Sequence, residues 1–314
     1  MEAAAPPVSP LSGLPLADGR SLRRPIAVII DNTKFGRPET GLINADLVYE
    51  IRVEGGITRY MAFFLRGTPR IVGPVRSVRE YFLPIVMEHD AMLVHAGGSA
   101  TAWNDLVVYD IADIDAIKNR GVFFRSNDRK APYNLYARLP ENRRWAEKQG
   151  WDHEDWQPSR VFQFDDRVQP AGVEKTQVTL HFSNITGHEV VGWSYNPKSR
   201  KYVRLVNGVV MRDAVTGDLI TADNIIVQKV ILEAVPNSPK LYVDVQIIGS
   251  GDAMVLYGGK MRPLRWEKAD VRSQTVFTEA TVAPGTAGAP YGSPLVLHPG
   301  VTWVEVVPNN TPFE

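Results

Sequence analysis

Hydrophobic and polar positions along the chain fall into two textures. In the first, apolar runs of strand length end at polar or glycine-rich punctuation. Pro25 opens the unbroken run 26–30, closed by Asp31-Asn32, which predicts a buried strand with two polar residues at its C-terminal end. Residues 47–54 alternate in their second half and stop at Gly55-Gly56, and 57–65 reads as the antiparallel partner across that turn. Residues 77–87 have helical character, with Ser77 as N-cap and Glu80 three residues on. A second buried strand, 91–95, runs into Gly97-Gly98-Ser99 and a short helix over 100–106. Ile111, Ile114 and Ile117, three apart, predict a further helical turn or two, and 141–156 reads as helix passing into loop. After about residue 172 the texture becomes short β-type runs at close spacing: 177–182, 202–206, 209–211, 224–232, 241–248, 253–257 and 300–306. Asn207-Gly208 and Gly258-Gly259 are hairpin signals among them. The chain therefore divides into a Pro-rich start (1–24), a mixed α and β part (25–171) and a β-rich part (172–314), and the last two can still share one sheet.

Composition narrows the classes. Of 314 residues, 44% are hydrophobic, with 35 Lys plus Arg against 35 Asp plus Glu. That balance removes the field of a generic nucleic-acid binder, so no nucleic-acid partner is expected. No apolar run reaches the length of a membrane helix. The chain has no cysteine, hence no disulfide, thiol nucleophile or zinc-thiolate site. Residues 1–25 carry five prolines and no periodic apolar pattern, which suits an extended tether. Its abrupt start fits either the remainder after removal of a signal or the frayed start of a cytosolic protein.

Local charge is less even. Arg59, Arg66, Arg70, Arg76 and Arg79 precede the first acid, Glu80. If a helix starts at Ser77, Arg76 and Arg79 share a face beside free N–H groups, a setting for phosphate or carboxylate. The competing possibility is a structural network with Glu50, Glu54 or Glu80. The turn His95-Ala96-Gly97-Gly98-Ser99 can offer backbone N–H groups to an anion, although it is neither a phosphate loop nor a nucleophile elbow. His95 there is a general-base candidate or a structural hydrogen bonder. Asp31-Asn32 with nearby Arg37, and Glu50 with Glu54 on one strand face, supply acids for acid/base work, or else a solvent-facing stripe compensated by Arg52. No metal-ligand spacing occurs, and neither metal nor cofactor is expected. Finally, 125–136 mixes Arg125, Lys130, Asn134, Tyr133 and Tyr136, a set suited to carbohydrate or phosphoryl groups or to an anchored surface loop.

These segments carry a resemblance. Arg24-Pro25-Ile26 through Asp31-Asn32, Ala45-Asp46-Leu47-Val48-Tyr49-Glu50, Val53-Glu54-Gly55-Gly56-Ile57-Thr58-Arg59, Gly73-Pro74-Val75-Arg76-Ser77-Val78-Arg79, His95 to Ser99, Lys130-Ala131-Pro132, Asn224-Ile225-Ile226-Val227-Gln228 and Pro299-Gly300-Val301-Thr302-Trp303 occur in one order. Together they resemble the YerB-like lipoproteins of bacteria, a family of unknown function. The resemblance implies an α+β chain: a layered β/β/α-type sandwich in the N-terminal part and a mostly antiparallel β C-terminal part. It also implies a secreted, extracytoplasmic protein held to the outer face of the cytoplasmic membrane by a lipidated cysteine ahead of the tether. It supplies no catalytic residues.

Three functions follow as expectations. One is binding of an anionic cell-wall or lipid-phosphate ligand in an Arg-lined groove built from the strand-end segments, with Arg59, Arg76, Arg79 and Lys130 at its centre. Another is a phosphotransferase or hydrolase on an envelope phosphate or glycan, with Asp31, Glu54 or His95 as acid/base. The last is a non-enzymatic scaffold for an envelope protein.

Overall fold

The apolar run after Pro25 is the strand Ile26–Asp31, buried along its whole length in a computed structural model that describes residues 7–16, 22–152, 156–183, 188–238, 242–280 and 291–311. The run is unbroken because both faces are covered: Ala27 and Ile29 enter one core, and Ile26, Val28 and Ile30 the other. It pairs antiparallel with Thr58–Phe64 and parallel with Met92–His95. Leu47–Arg52 and Thr58–Phe64 make the expected hairpin. Gly55 and Gly56 turn it at φ 68° and 72°, a region that L side chains avoid.

Among the described residues these strands belong to a 13-stranded sheet. Its main path runs Tyr291–Pro294, Val276–Ala280, Lys260–Lys268, Gly249–Tyr257, Asn224–Ala234, Thr302–Pro308, Leu47–Arg52, Thr58–Phe64, Ile26–Asp31, Met92–His95 and Asp113–Asp115, with Val173–Glu174 paired to Lys260–Lys268 and Val243–Gln246 to Asn224–Ala234 off that path. The final strand of the chain is thus central. Thr302–Pro308 lies parallel to both Asn224–Ala234 and Leu47–Arg52, buried throughout, and joins the two textures into one sheet.

Alternation along the strands then builds two cores. On one face Ala27, Tyr49, Met61 and Phe63 meet the helices Leu83–Glu88 and Ala100–Val108. On the other, Val28, Val48, Tyr60, Ala62 and Trp303 meet a second sheet, in which Gln177–His181, Val190–Asn196 and Lys201–Val206 pair in sequence. A three-stranded sheet (Ile71–Val72, Leu135–Arg138, Phe123–Arg125) and the helix Leu139–Lys148 extend this layer. The result is an α+β, mostly β architecture of stacked layers.

Several local expectations are corrected. Residues 77–87 do not begin as a helix. Arg76 N donates to Ile29 O at 2.9 Å and Val78 N to Gly97 O at 3.0 Å, so tertiary strand-like partners hold the segment extended until Glu80. Helix begins with a short 3-10 turn, Glu80–Phe82, and continues as Leu83–Glu88. Residues 110–118 contain the edge strand Asp113–Asp115 instead of helical turns: Ile114 is buried and Ile117 exposed. The start is not wholly a tether. Leu11 and Leu16 enter the core, Ser12 Oγ donates to Asp46 Oδ1 at 3.0 Å, and Gly300 N donates to Ser12 O at 2.8 Å. Pattern reading also overlooked the strands Val190–Asn196, Lys260–Lys268 and Val276–Ala280.

Candidate functional site

The C-terminal end of Ile26–Asp31 delivers Asp31 and Asn32 into a buried polar seam between the two sheets. Asn32 Nδ2 donates to Glu50 Oε1 (3.0 Å) and Thr58 Oγ1 (2.7 Å), and Thr58 Oγ1 donates to Glu50 Oε1 (2.6 Å). Glu50 is fully buried, not part of a solvent-facing stripe, because its other oxygen pairs with the fully buried Arg204 of the second sheet. Arg204 Nη1 also reaches Glu305 Oε1 at 3.2 Å, and its guanidinium lies 5.2 Å from the Trp193 ring and 5.3 Å from the Trp303 ring. Burial works against the Arg204 charge, but Glu50, Tyr60 and Glu305 outweigh it and raise its pKa. One guanidinium cannot neutralise two buried carboxylates, and burial pushes Glu305 up to about 8. Arg37, from the loop after Asn32, donates to Asn32 O (2.9 Å) and pairs with Glu189 of the second sheet. This seam is a structural lock between layers.

The arginines that cluster in sequence do not converge. Arg59 and Arg79 both pair with Glu54, and Arg59 Nη1 also donates to Ser77 O at 2.7 Å. Burial alone would raise the Glu54 carboxyl; the two guanidiniums reverse that and hold it below its ordinary value. Arg66 donates to Pro15 O at 3.0 Å. Arg76 departs in another direction, to Asp31, with its guanidinium 4.8 Å from the Tyr133 ring.

The glycine-rich turn does hold an anion, but one of its own. Gly97 N donates to Asp115 Oδ1 at 2.8 Å. Ser99 caps the helix, accepting from Ala102 N at 3.1 Å, and gives its hydroxyl proton to Glu80 Oε2 at 2.5 Å. Gly98 bridges to Val78, and Ser77 Oγ donates to Ala96 O at 2.8 Å. His95 is fully buried, with Nδ1 2.8 Å from Gly97 O and Nε2 3.1 Å from Asp113 Oδ2. The acid/base candidates Asp31, Glu54 and His95 are thus engaged in three separate sets of contacts.

What the fold does open is a cleft of about 530 Å³ beside the extended segment at Arg76. Val75, Arg76 and Ser77 form one wall, Ala96, Ala116 and Ile117 the floor, and Arg120, Phe123, Phe124, Arg125, Pro132 and Leu135 the opposite side. Among the described residues, no carboxylate lines it. Arg125 Nη1 donates to the neutral Asn134 Oδ1 at 2.8 Å, and among the described residues neither Arg120 nor Arg125 pairs with an acid. Asn134 also closes its loop by donating to Ser126 O at 2.8 Å, so it positions Arg125. Tyr136 is buried and stacks on Phe124, ring centroids 5.6 Å apart. Lys130 is exposed on the same loop and does not line the cleft. Three arginines against the single buried Asp31 leave the cleft positive. Arg125 and Tyr133 stand in the segment 125–136 already singled out; Arg120 carried no signal, lying with Lys118 in the unpatterned stretch 118–122. Among the described residues, no group of three or more His, Cys, Asp or Glu is placed to hold a metal ion.

A second cavity, of about 380 Å³, adjoins the first across Tyr133. Asn32 to Arg37 supply one side, Gly55 to Thr58 another, and Phe182, His188, Glu189, Val191 and Val206 of the second sheet the third.

Comparison with known proteins places this geometry in context. Residues 11–152 match the model described as protein of unknown function (DUF3048) N-terminal domain, and residues 178–304 match its C-terminal domain. A Bacillus subtilis (strain 168) protein with the name "Putative lipoprotein YerB" is 29% identical over 302 residues, 96% of this chain and 86% of that protein. The crystal structure of the YerB protein from Bacillus subtilis superposes with a TM-score of 0.83 at 26% identity, covering 98% of this chain and 99% of that one.

Proposed function

The chain belongs to the DUF3048 family, whose function is unknown, and from that premise we propose that it is an extracytoplasmic lipoprotein that captures an anionic envelope ligand in the Arg76–Arg120–Arg125 cleft. The lipoprotein part rests on the name of its Bacillus subtilis relative. A bacterial lipoprotein anchor is carried on a cysteine, and these 314 residues have none. No helix among the described residues is long and apolar enough to cross a membrane.

The observation that carries the binding reading is the lining of the cleft: arginines from three different segments and, among the described residues, no acid. Arg120 and Arg125, which pair with no acid among the described residues, keep donors for a phosphate or carboxylate, and such charge-assisted bonds are worth about 1.5–3 kcal/mol each. No comparable grouping supports an acid/base mechanism, since Asp31, Glu54 and His95 each serve structural partners and none lines the cleft.

The test is a titration with glycerol 3-phosphate followed by calorimetry. Saturable binding that weakens at least about tenfold in an Arg120→Ala, Arg125→Ala double variant is the expected result. Absence of saturable binding, or equal affinity in the variant, would sink the reading. Both side chains lie at the surface, so the variant is expected to fold.

A further inference from the structure

The second cavity has a different chemistry from the Arg cleft. Its aromatic side is Phe35 and Tyr133, with ring centroids 5.2 Å apart. Phe35 is 57% exposed, yet its loop is fixed: Arg129, from the loop that carries Tyr133, donates to Gly36 O and, at 2.7 Å, to Pro38 O. Its polar side combines a planar ion pair with Lys34 and His188. Arg37 and Glu189 neutralise each other, and the Asn32 amide and Thr58 hydroxyl are held by Glu50 beneath them. A ligand charge placed between Arg37 and Glu189 would have to break that pair. A wholly apolar one would strand these polar groups without water or partner. A ring that is apolar on its faces and rich in hydroxyls at its rim meets both requirements: it stacks on an aromatic surface and shares hydrogen bonds with paired planar side chains. The volume, about 380 Å³, sits at the small end of ligand pockets.

We infer that this cavity, walled by Phe35, Tyr133, Asn32, Arg37, Thr58 and Glu189, is a sugar-binding subsite, and that Tyr133 joins it to the Arg cleft so that one glycosyl phosphate spans both. Tyr133 is the shared wall: it lines the second cavity, lies under the Arg76 guanidinium at 4.8 Å, and follows Pro132, which lines the first. The spanning ligand rests on the anion reading of the Arg cleft; the sugar subsite does not. The site draws on both family-matched segments, Asn32 to Tyr133 from one and Glu189 from the other.

The experiment uses the full chain and follows backbone amide shifts of Gly55, Gly56 and Thr58. Probes are the methyl glycosides of glucose, galactose, mannose and N-acetylglucosamine, then inorganic phosphate, then the 1-phosphate of whichever sugar binds. Saturable shifts with at least one glycoside at millimolar concentration, lost in Phe35→Ala and in Tyr133→Ala, are the expected result; Phe35 is exposed, so its variant keeps the core intact. The sugar 1-phosphate should bind at least about tenfold more tightly than either part, because the second contact is made at high effective concentration. No saturable shift with any glycoside overturns the sugar subsite, whatever phosphate does. Glycoside binding without phosphate binding leaves the sugar subsite standing and removes the anion reading with the spanning ligand. Binding of both parts with no gain for the 1-phosphate refutes the spanning ligand alone.

Discussion

Glu39 makes a sharp test of how the layers are joined. It precedes the strand-to-sheet contact at Thr40 and Gly73, and Ala214 of the second sheet donates to its carbonyl at 2.8 Å. Its side chain is 1% exposed, and neither carboxyl oxygen has a hydrogen-bond partner. Burial dominates and pushes its pKa up to about 8, against the pull of its own backbone N–H and of Arg37 and Arg204, with Asp31 adding to the rise. The folded protein holds a proton here at neutral pH, whereas the unfolded chain releases it near the ordinary value of 4.5. A carboxyl with a raised folded pKa lends its full stability below the unfolded pKa and loses it as pH climbs through the folded one. Between pH 5 and 7 that single proton amounts to about 2–3 kcal/mol of lost stability, at 1.36 kcal/mol per unit. Glu39→Gln removes the titration while keeping the shape. Urea unfolding at pH 5, 6 and 7, read from the buried Trp193 and Trp303, measures both curves. Glu305 titrates over the same range in both proteins and cancels in the difference. The expected outcome is that the variant gains about 2–3 kcal/mol on the parent between pH 5 and 7. Parallel curves would show that Glu39 is hydrated or paired, and the argument from its burial would fail.

Two further outcomes follow from the seam. Arg204→Met leaves Glu50 and Glu305 buried without their cation and should cost about 3–5 kcal/mol in urea unfolding at neutral pH, much of it recovered when Glu50→Gln and Glu305→Gln are added; a loss below 1 kcal/mol, or no recovery, contradicts the lock. The chain cut to residues 25–171 loses Thr302–Pro308, the parallel neighbour of Leu47–Arg52, and exposes an apolar strand edge. It should aggregate or give a collapsed amide spectrum, and a dispersed spectrum from that fragment would show that the first part folds alone.

Much of the fold was legible because burial leaves a period in the chain. The runs at 26–30, 47–54 and 57–65, the Gly-Gly turn and the short helix from Ala100 emerge as read, while the Ser99 cap came from the structure. Order within the sheet was not legible. Nothing in Val301-Thr302-Trp303-Val304-Glu305 tells that this last strand sits at the centre, since its neighbours come from residues 47–52 and 224–234. Glu305 is the sharpest case. A carboxylate in a strand reads as solvent-facing, and here it is fully buried because Arg204 arrives from another sheet.

The site followed a different logic. Proximity in sequence suggested that Arg76 and Arg79 act together, and on a helix they would share a face. On the extended backbone that Ile29 and Gly97 impose, residues three apart point to opposite sides. Arg79 is thereby sent inward to Glu54, and Arg76 toward Asp31 and the cleft. The cations that meet Arg76 come from Arg120, in a 3-10 turn, and Arg125, at the end of the strand Phe123–Arg125, brought alongside by that strand's pairing with Leu135–Arg138. A count of arginines per window could not find that grouping, because only the pairing of the strands brings it together. The neutral balance of 35 against 35 charges permits it for the same reason. Many described arginines are matched by an acid, Arg120 and Arg125 are among those that are not, and a local field survives where these two meet Arg76.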